Sequence, residues 1–238
     1  PVDMDGFKSQ QHRWTKGSIQ CSKKVLGAIW RSRFPLHVKL EATAHLTSNF
    51  AYLLLVVLCF LIFPNQHWQP ELGPWAFVLI HAPIFLFASG SVILFYLVSQ
   101  KALRPTEWWR ELIYLPFLLA LGIGMSLNNG RAVLEAIFNR ESGFVRTPKY
   151  GIGKGTQQAD GEKTLKKSRY KAIKPFAPVL EFIFGVFFLG IALDSLFSGA
   201  LISFIFLLPF PVGFFYTSVT SLANSMSRLG DSHTERAD

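Results

Sequence analysis

Two apolar runs joined by a short connector occupy positions 179–222, which read VLEFIFGVFFLGIALDSLFSGALISFIFLLPFPVGFFYTSVTSL. A helix needs roughly 20 apolar residues to cross a hydrocarbon core of ~30 Å, and each run is close to that length. The connector, 197–200, is so short that two helices joined by it must lie antiparallel. The stretch therefore predicts a transmembrane hairpin of helices 179–196 and 201–222, the second kinked at Pro209, in an all-α membrane protein.

Three further apolar runs lie upstream, at 46–63, 75–98 and 112–127. The first two are long enough to span, and Pro64 is predicted to end the first. The third is shorter and contains proline and glycine. We therefore expect four transmembrane helices and interpret 112–127 as an interfacial or re-entrant segment, while a fifth span is the alternative.

Positive charge is confined to one side of these predicted spans. All 24 Lys and Arg residues lie in four segments: 1–45, 99–110, 131–174 and 223–238. The other connectors, 64–74 and 197–200, contain none. This is the positive-inside pattern of a multi-pass protein, and it predicts that the basic loops and the C-terminus are cytoplasmic, at the inner (plasma) membrane of a cell. A fifth span at 112–127 would move the basic segment 131–174 across the membrane, so the charge pattern disfavours it.

Composition indicates which partners to expect. The chain carries a formal net charge of +9, yet only 16% of its residues are charged and 50% are hydrophobic. Because the basic residues flank apolar runs, we expect the lipid bilayer and anionic small substrates as partners, and no nucleic acid. Cys21 and Cys59 are expected to be free thiols. Since the chain begins at Pro1 with a polar stretch, we expect it to be part of a longer protein.

A first motif lies within residues 9–30, where the pattern predicts an amphipathic helix at the membrane surface, as it also does at 131–138. Gln10, Arg13 and Trp14 are spaced to share one face of such a helix. Arginine pairs with phosphate, glutamine bonds hydroxyls, and an indole offers a flat surface to a sugar ring. The alternative is an ordinary juxtamembrane helix with an interfacial tryptophan.

This Gln-x-x-Arg-Trp motif resembles the signature of processive, membrane-embedded family 2 glycosyltransferases, which include the cellulose, glucomannan, chitin and hyaluronan synthases. In that family the motif lies on a cytoplasmic interfacial helix just before a transmembrane pair, as it would here. The resemblance implies that Trp14 stacks on the acceptor sugar, and that Gln10 and Arg13 help to hold the acceptor and the nucleotide diphosphate.

A second motif, FVRTPK, lies in the basic loop at 144–149. It resembles the gating loop of cellulose synthases, although an arginine stands where that family has valine. The resemblance implies that Phe144, Thr147 and Lys149 contact the bound nucleotide. A lysine and a threonine hydroxyl on a hinged loop suit a diphosphate, while the alternative is a basic loop that docks on anionic lipid.

Together the two resemblances imply an organisation and an activity. The organisation comprises five segments: the cytoplasmic end of a glycosyltransferase domain (1–41), a transmembrane pair (42–98), a cytoplasmic or interfacial segment with a gating-type loop (99–178), the hairpin (179–222) and a cytoplasmic tail (223–238). The implied activity is transfer of sugar from a nucleotide-sugar donor (UDP-glucose or GDP-mannose class) to a growing β-glycan. The general base and the ligands of a divalent metal, Mg²⁺ or Mn²⁺, are expected outside this chain. A non-processive enzyme acting on a lipid acceptor and a non-enzymatic transporter or scaffold remain alternatives.

Overall fold

The computed structural model describes residues 3–67, 79, 90, 92–140 and 176–234. Throughout those ranges the secondary structure is helical and contains no strand, which confirms the all-α part of the prediction. The helices are α1 (Met4–Arg31), α2 (Leu36–Thr47), α3 (Phe50–His67), α4 (Val92–Leu103), a 3-10 helix (Trp108–Tyr114), α5 (Leu115–Gly124), α6 (Ser126–Ile137), α7 (Phe176–Phe197), α8 (Leu201–Leu207) and α9 (Pro209–Thr234).

The predicted hairpin is present. Helix α7, with 22 residues, and the stretch Leu201–Ser225, with 25, are each long and apolar enough to cross a membrane. Between them Gly199 has a φ of +79°, a left-handed conformation that favours glycine, and the amide of Ala200 donates to the carbonyl of Ser195 at 2.8 Å. These are the features of a helix end closed by glycine. The break between α8 and α9 falls directly before Pro209, where the kink was predicted.

Two further pairs of helices are long and apolar enough to cross a membrane only if the two helices of each pair, which meet at a bend, are taken together. Helices α2 and α3 meet at 58°, and the 3-10 helix with α5 meets α6 at 44°. The described residues therefore hold two to four candidate spans. Helix α5, with 10 residues, is about 15 Å long, which is half of a hydrocarbon core.

The first predicted span has different bounds from those expected. Helix α3 begins at Phe50, after the bend, and continues to His67, so the predicted end at Pro64 is wrong. A proline this close to a helix end removes only one hydrogen bond of the last turns. Most of the second predicted span, 75–98, lies outside the described residues, and α4 shows its end extending to Leu103.

An aromatic cluster joins the hairpin to α3. Phe188 of α7 is fully buried and stacks on Phe210 and Phe214 of α9, with ring centroids 4.8 and 5.9 Å apart. Cys59 of α3, which is a free thiol, is buried against the same cluster. Stacked aromatic side chains of this size contribute much of the packing energy of a core.

Helix α6 lies between α1 and α3 and gives α1 its position. Ile19 of α1 packs against Val133 and Ala136 of α6, and all three side chains are fully buried. On another face of α6, Gly130 lies close to Val56 of α3. The helix with the first motif is therefore packed against α6, which belongs to one of the candidate spans, and one long side of it is covered.

Candidate functional site

The three residues predicted to bind acceptor and donor, Gln10, Arg13 and Trp14, all lie on α1. The Trp14 side chain is 62% exposed, while Gln10 and Arg13 are half-buried. At about 100° of rotation per residue, the three positions fall within an arc of about 100°. An indole, a guanidinium and an amide thus share one accessible face of the helix.

Lys8, two residues before this face, is buried on the other side of α1 with 1% exposure. Its Nζ donates hydrogen bonds to three acceptors: Glu181 Oε2 at 2.6 Å, Ser221 Oγ at 2.7 Å and the Thr217 carbonyl at 3.0 Å. Burial lowers the pKa of the Lys8 ammonium, and the negative charges of Glu181 and Asp5 oppose that shift. Lys8 thus forms a buried ion pair with α7 and hydrogen bonds with α9, so it joins α1 to both helices of the hairpin.

A second cluster joins α1 to α6 around Glu135. Its Oε1 accepts from Arg131 Nε at 2.9 Å, and its Oε2 lies 3.3 Å from both Lys16 Nζ and His12 Nε2. Burial lowers the pKa of His12; the carboxylate of Glu135 opposes this, and the positive charges of Arg131 and Lys16 add to it. The imidazole therefore favours its neutral form at neutral pH.

The C-terminal end of α6 is held by lysines of α1. Asn139 follows α6 with a φ of +52° and closes the helix. Lys23 Nζ donates to Asn139 Oδ1 at 2.7 Å and to the Ile137 carbonyl at 2.8 Å, while Lys16 Nζ donates to the Arg140 carbonyl at 2.5 Å. Cations at this position satisfy free carbonyls and complement the negative end of the helix dipole.

These contacts attach α1 to the chain at one described residue before segment 141–175 and at another after it. Arg140 is the last described residue before segment 141–175, and Glu181 lies six positions after that segment. Arg140 contacts Lys16 and Glu181 contacts Lys8, so the two points of attachment on α1 are about 12 Å apart. Phe144, Thr147 and Lys149, the predicted nucleotide-contacting residues, lie outside the described residues.

Within the described part of the chain, no group of three or more His, Cys, Asp or Glu side chains is placed to hold a metal ion. The pair Asp3 and Asp5, which looks like a metal-binding motif, has structural roles instead. Asp3 caps α1 by accepting from the Gly6 amide at 2.6 Å, and Asp5 is 1% exposed. The expectation of a metal held outside this chain stays a prediction.

The residues that position α1 were not predicted from the sequence. Lys8 and Glu135 gave no signal, because a lysine and a glutamate on amphipathic helices are ordinary surface residues. Glu181 did give one: it lies inside an apolar run, and an ionisable residue in such a run calls for a buried partner. No spacing rule names that partner, since Lys8 is 173 positions away.

Comparisons of the chain with protein-family models, with curated proteins and with solved structures found no match.

Proposed function

We propose that this chain is the C-terminal membrane part of a glycosyltransferase. The enzyme moves sugar from a nucleotide-sugar donor, of the UDP-glucose or GDP-mannose class, to a growing β-glycan, and the helices of this chain help to form its translocation channel. One observation carries the proposal: Gln10, Arg13 and Trp14 share an accessible face of a helix that is held against the chain on both sides of segment 141–175.

The chemistry of that face supports a carbohydrate acceptor. The exposed indole of Trp14 supplies an apolar plane against which the C–H face of a pyranose packs. Arg13 supplies a planar guanidinium suited to a diphosphate, and Gln10 supplies both a donor and an acceptor for sugar hydroxyls. In this proposal Trp14 orients the acceptor while Arg13 and Gln10 hold the groups around it.

The reaction is attack of an acceptor hydroxyl on the anomeric carbon of the donor sugar, with departure of the nucleoside diphosphate. Positive charge from Arg13 and Lys149 stabilises the departing diphosphate, and Phe144 and Thr147 contact the nucleotide, so that water is excluded. A divalent metal, Mg²⁺ or Mn²⁺, supplies further charge stabilisation from residues outside this chain.

The membrane setting belongs to the same proposal. The positive-inside pattern supports a cytoplasmic location for α1, the basic loops and the C-terminus at the inner membrane, where nucleotide sugars are available. We interpret 112–127 as a re-entrant segment because Lys16 of α1 donates to the Arg140 carbonyl, and a broken span is the alternative that the bend of 44° between α5 and α6 also fits.

The test is Trp14→Ala in membranes from cells that express the complete gene product, with incorporation of labelled glucose or mannose into glycan as the readout. We expect polymer formation to be lost while the protein still inserts into the membrane. Trp109→Ala is the matched control, because Trp109 is 57% exposed on the 3-10 helix, away from α1. Equal polymer yield from Trp14→Ala and the parent would refute the acceptor role, and a single-sugar lipid product would favour a lipid acceptor.

A further inference from the structure

Lys8 is buried, and all of the hydrogen-bonding capacity of its ammonium is used. An ammonium has three hydrogens to donate, and Glu181, Ser221 and Thr217 accept one each. The acceptors come from two different helices, α7 and α9. Two side chains and one backbone carbonyl therefore define the position of Nζ in three dimensions.

These partners leave α1 little freedom to shift. Glu181 is 1% exposed and Ser221 is fully buried, so water has no access to replace a lost contact. A buried charge deprived of its partner is strongly disfavoured, so rotations or shifts of α1 that break the ion pair are opposed. The backbone of Lys8 adds a further restraint, since its carbonyl accepts from Asn128 Nδ2 of α6 at 3.0 Å.

With Lys8 bound in this way, α1 is oriented so that the side chains of the motif are accessible. Counted around the axis of α1, Gln10 lies about 200° from Lys8, and Arg13 and Trp14 lie about 140° and 240° away. The motif is thus centred on the side of the helix opposite Lys8. A rotation of α1 that releases Lys8 therefore changes the direction in which Trp14 points.

We propose that Lys8 is a positioning residue for the acceptor site: through Glu181, Ser221 and the Thr217 carbonyl it sets the rotation and depth of α1 that present Trp14 to the glycan. This inference rests on the proposed function for the identity of the ligand. Lys8 itself touches no substrate in this proposal, and it affects acceptor binding only through the position of α1.

The test combines a distance with a binding constant, both measured on the protein in lipid nanodiscs. Nitroxide labels at the exposed Cys21 and at Val186→Cys, in a Cys59→Ser background, report the position of α1 relative to α7 by pulsed electron paramagnetic resonance. The binding probes are cellohexaose and its mannose counterpart. The variant is Lys8→Met, and Lys24→Met is the control, because Lys24 is exposed on the same helix.

We expect Lys8→Met to broaden the distance distribution and to weaken oligosaccharide binding about tenfold, with no change in Lys24→Met. An unchanged distance, or a broadened distance with unchanged binding, would overturn the inference while leaving the proposed function in place. Failure of the parent to bind either probe would instead refute the acceptor site and the inference with it.

Should Lys8→Met not fold, Ser221→Ala replaces it, since it removes one acceptor and keeps the ion pair. We expect a smaller loss of binding there, about threefold, as for one hydrogen bond. Unchanged binding in Ser221→Ala would count against the inference in the same way.

Discussion

Gly213 of α9 lies so close to the backbone of Ala120 on α5 that a Cβ at position 213 would overlap the Ala120 carbonyl oxygen. The approach is mutual, because a Cβ at Gly124 would overlap the carbonyl of Gly213. Contact of this kind lets two helix backbones pack directly, as small residues do in membranes. The C-terminal half of α5 therefore packs directly against α9, whereas Ile113, Tyr114 and Phe117 at the beginning of segment 112–127 are exposed.

Gly213→Ala is expected to destabilise the fold, because the added methyl group meets backbone atoms that cannot move aside. Overpacking of this kind costs about 1–3 kcal/mol or more. Gly122→Ala is the matched control: it lies on α5, has no atom within 4 Å of an added Cβ, and gains about 0.5–1 kcal/mol from alanine in a helix. Thermal unfolding in detergent, followed by circular dichroism, measures both. Equal melting temperatures for the two variants would contradict the close backbone contact between α5 and α9.

Lys23 and Lys24 offer a second matched pair. Lys23 donates to carbonyls at the end of α6 and to Asn139, whereas Lys24 is exposed. We expect Lys23→Met to loosen the end of α6 and to cost about 1 kcal/mol, and Lys24→Met to be neutral. Hydrogen exchange at the amides of Phe138 and Arg140 measures the effect. If the amides exchanged faster in Lys24→Met than in Lys23→Met, the conclusion that Lys23 holds the end of α6 would be wrong.

The pH dependence of stability should carry a contribution from His12. Its folded pKa is lowered from the ordinary value of 6.5, chiefly by burial. The unfolded chain therefore binds a proton at this position more readily than the folded one does. The stabilisation is present above pH 6.5 and is lost as the pH falls through the folded pKa.

We expect His12→Gln to flatten the pH profile of the unfolding midpoint just below pH 6.5. His45→Gln serves as the control, because His45 is exposed on α2, outside the Glu135 cluster, and this variant should keep the slope of the parent. The measurement is denaturant unfolding at a series of pH values from 8 to 5. If His12→Gln kept the same dependence of the unfolding midpoint on pH as the parent, His12 would not be the source of that dependence.

The hairpin and the helix with the first motif could be predicted because their signals are local. The run 179–222 has spanning length, and the position of Gly199 at the turn follows from a short connector. The bend before α3 was not predicted, although Thr47, Ser48 and Asn49 interrupt the apolar run at that point. The Ser48 hydroxyl donates to the His45 carbonyl at 2.9 Å there, and such local bonding competes with a regular helix.

The site shows the same division between local and distant information. Gln10, Arg13 and Trp14 were assigned to one helix face by their spacing, which α1 provides. What keeps that face accessible is Lys8, through Glu181 and two residues of α9. Contacts between residues so far apart in the chain depend on how the helices pack together. The helical periodicity of the sequence does not predict that packing.

The orientation of the whole fold can be tested with its two native cysteines. Cys21 is exposed on α1 and Cys59 is buried on α3. A membrane-impermeant maleimide should label Cys21 in inside-out vesicles and leave it unlabelled in intact spheroplasts, because the positive-inside pattern predicts that α1 is cytoplasmic. Cys59 should stay unlabelled in both until the protein is denatured. Labelling of Cys21 in spheroplasts would place Trp14 on the outer side, away from nucleotide sugars, and the proposed function would then be wrong.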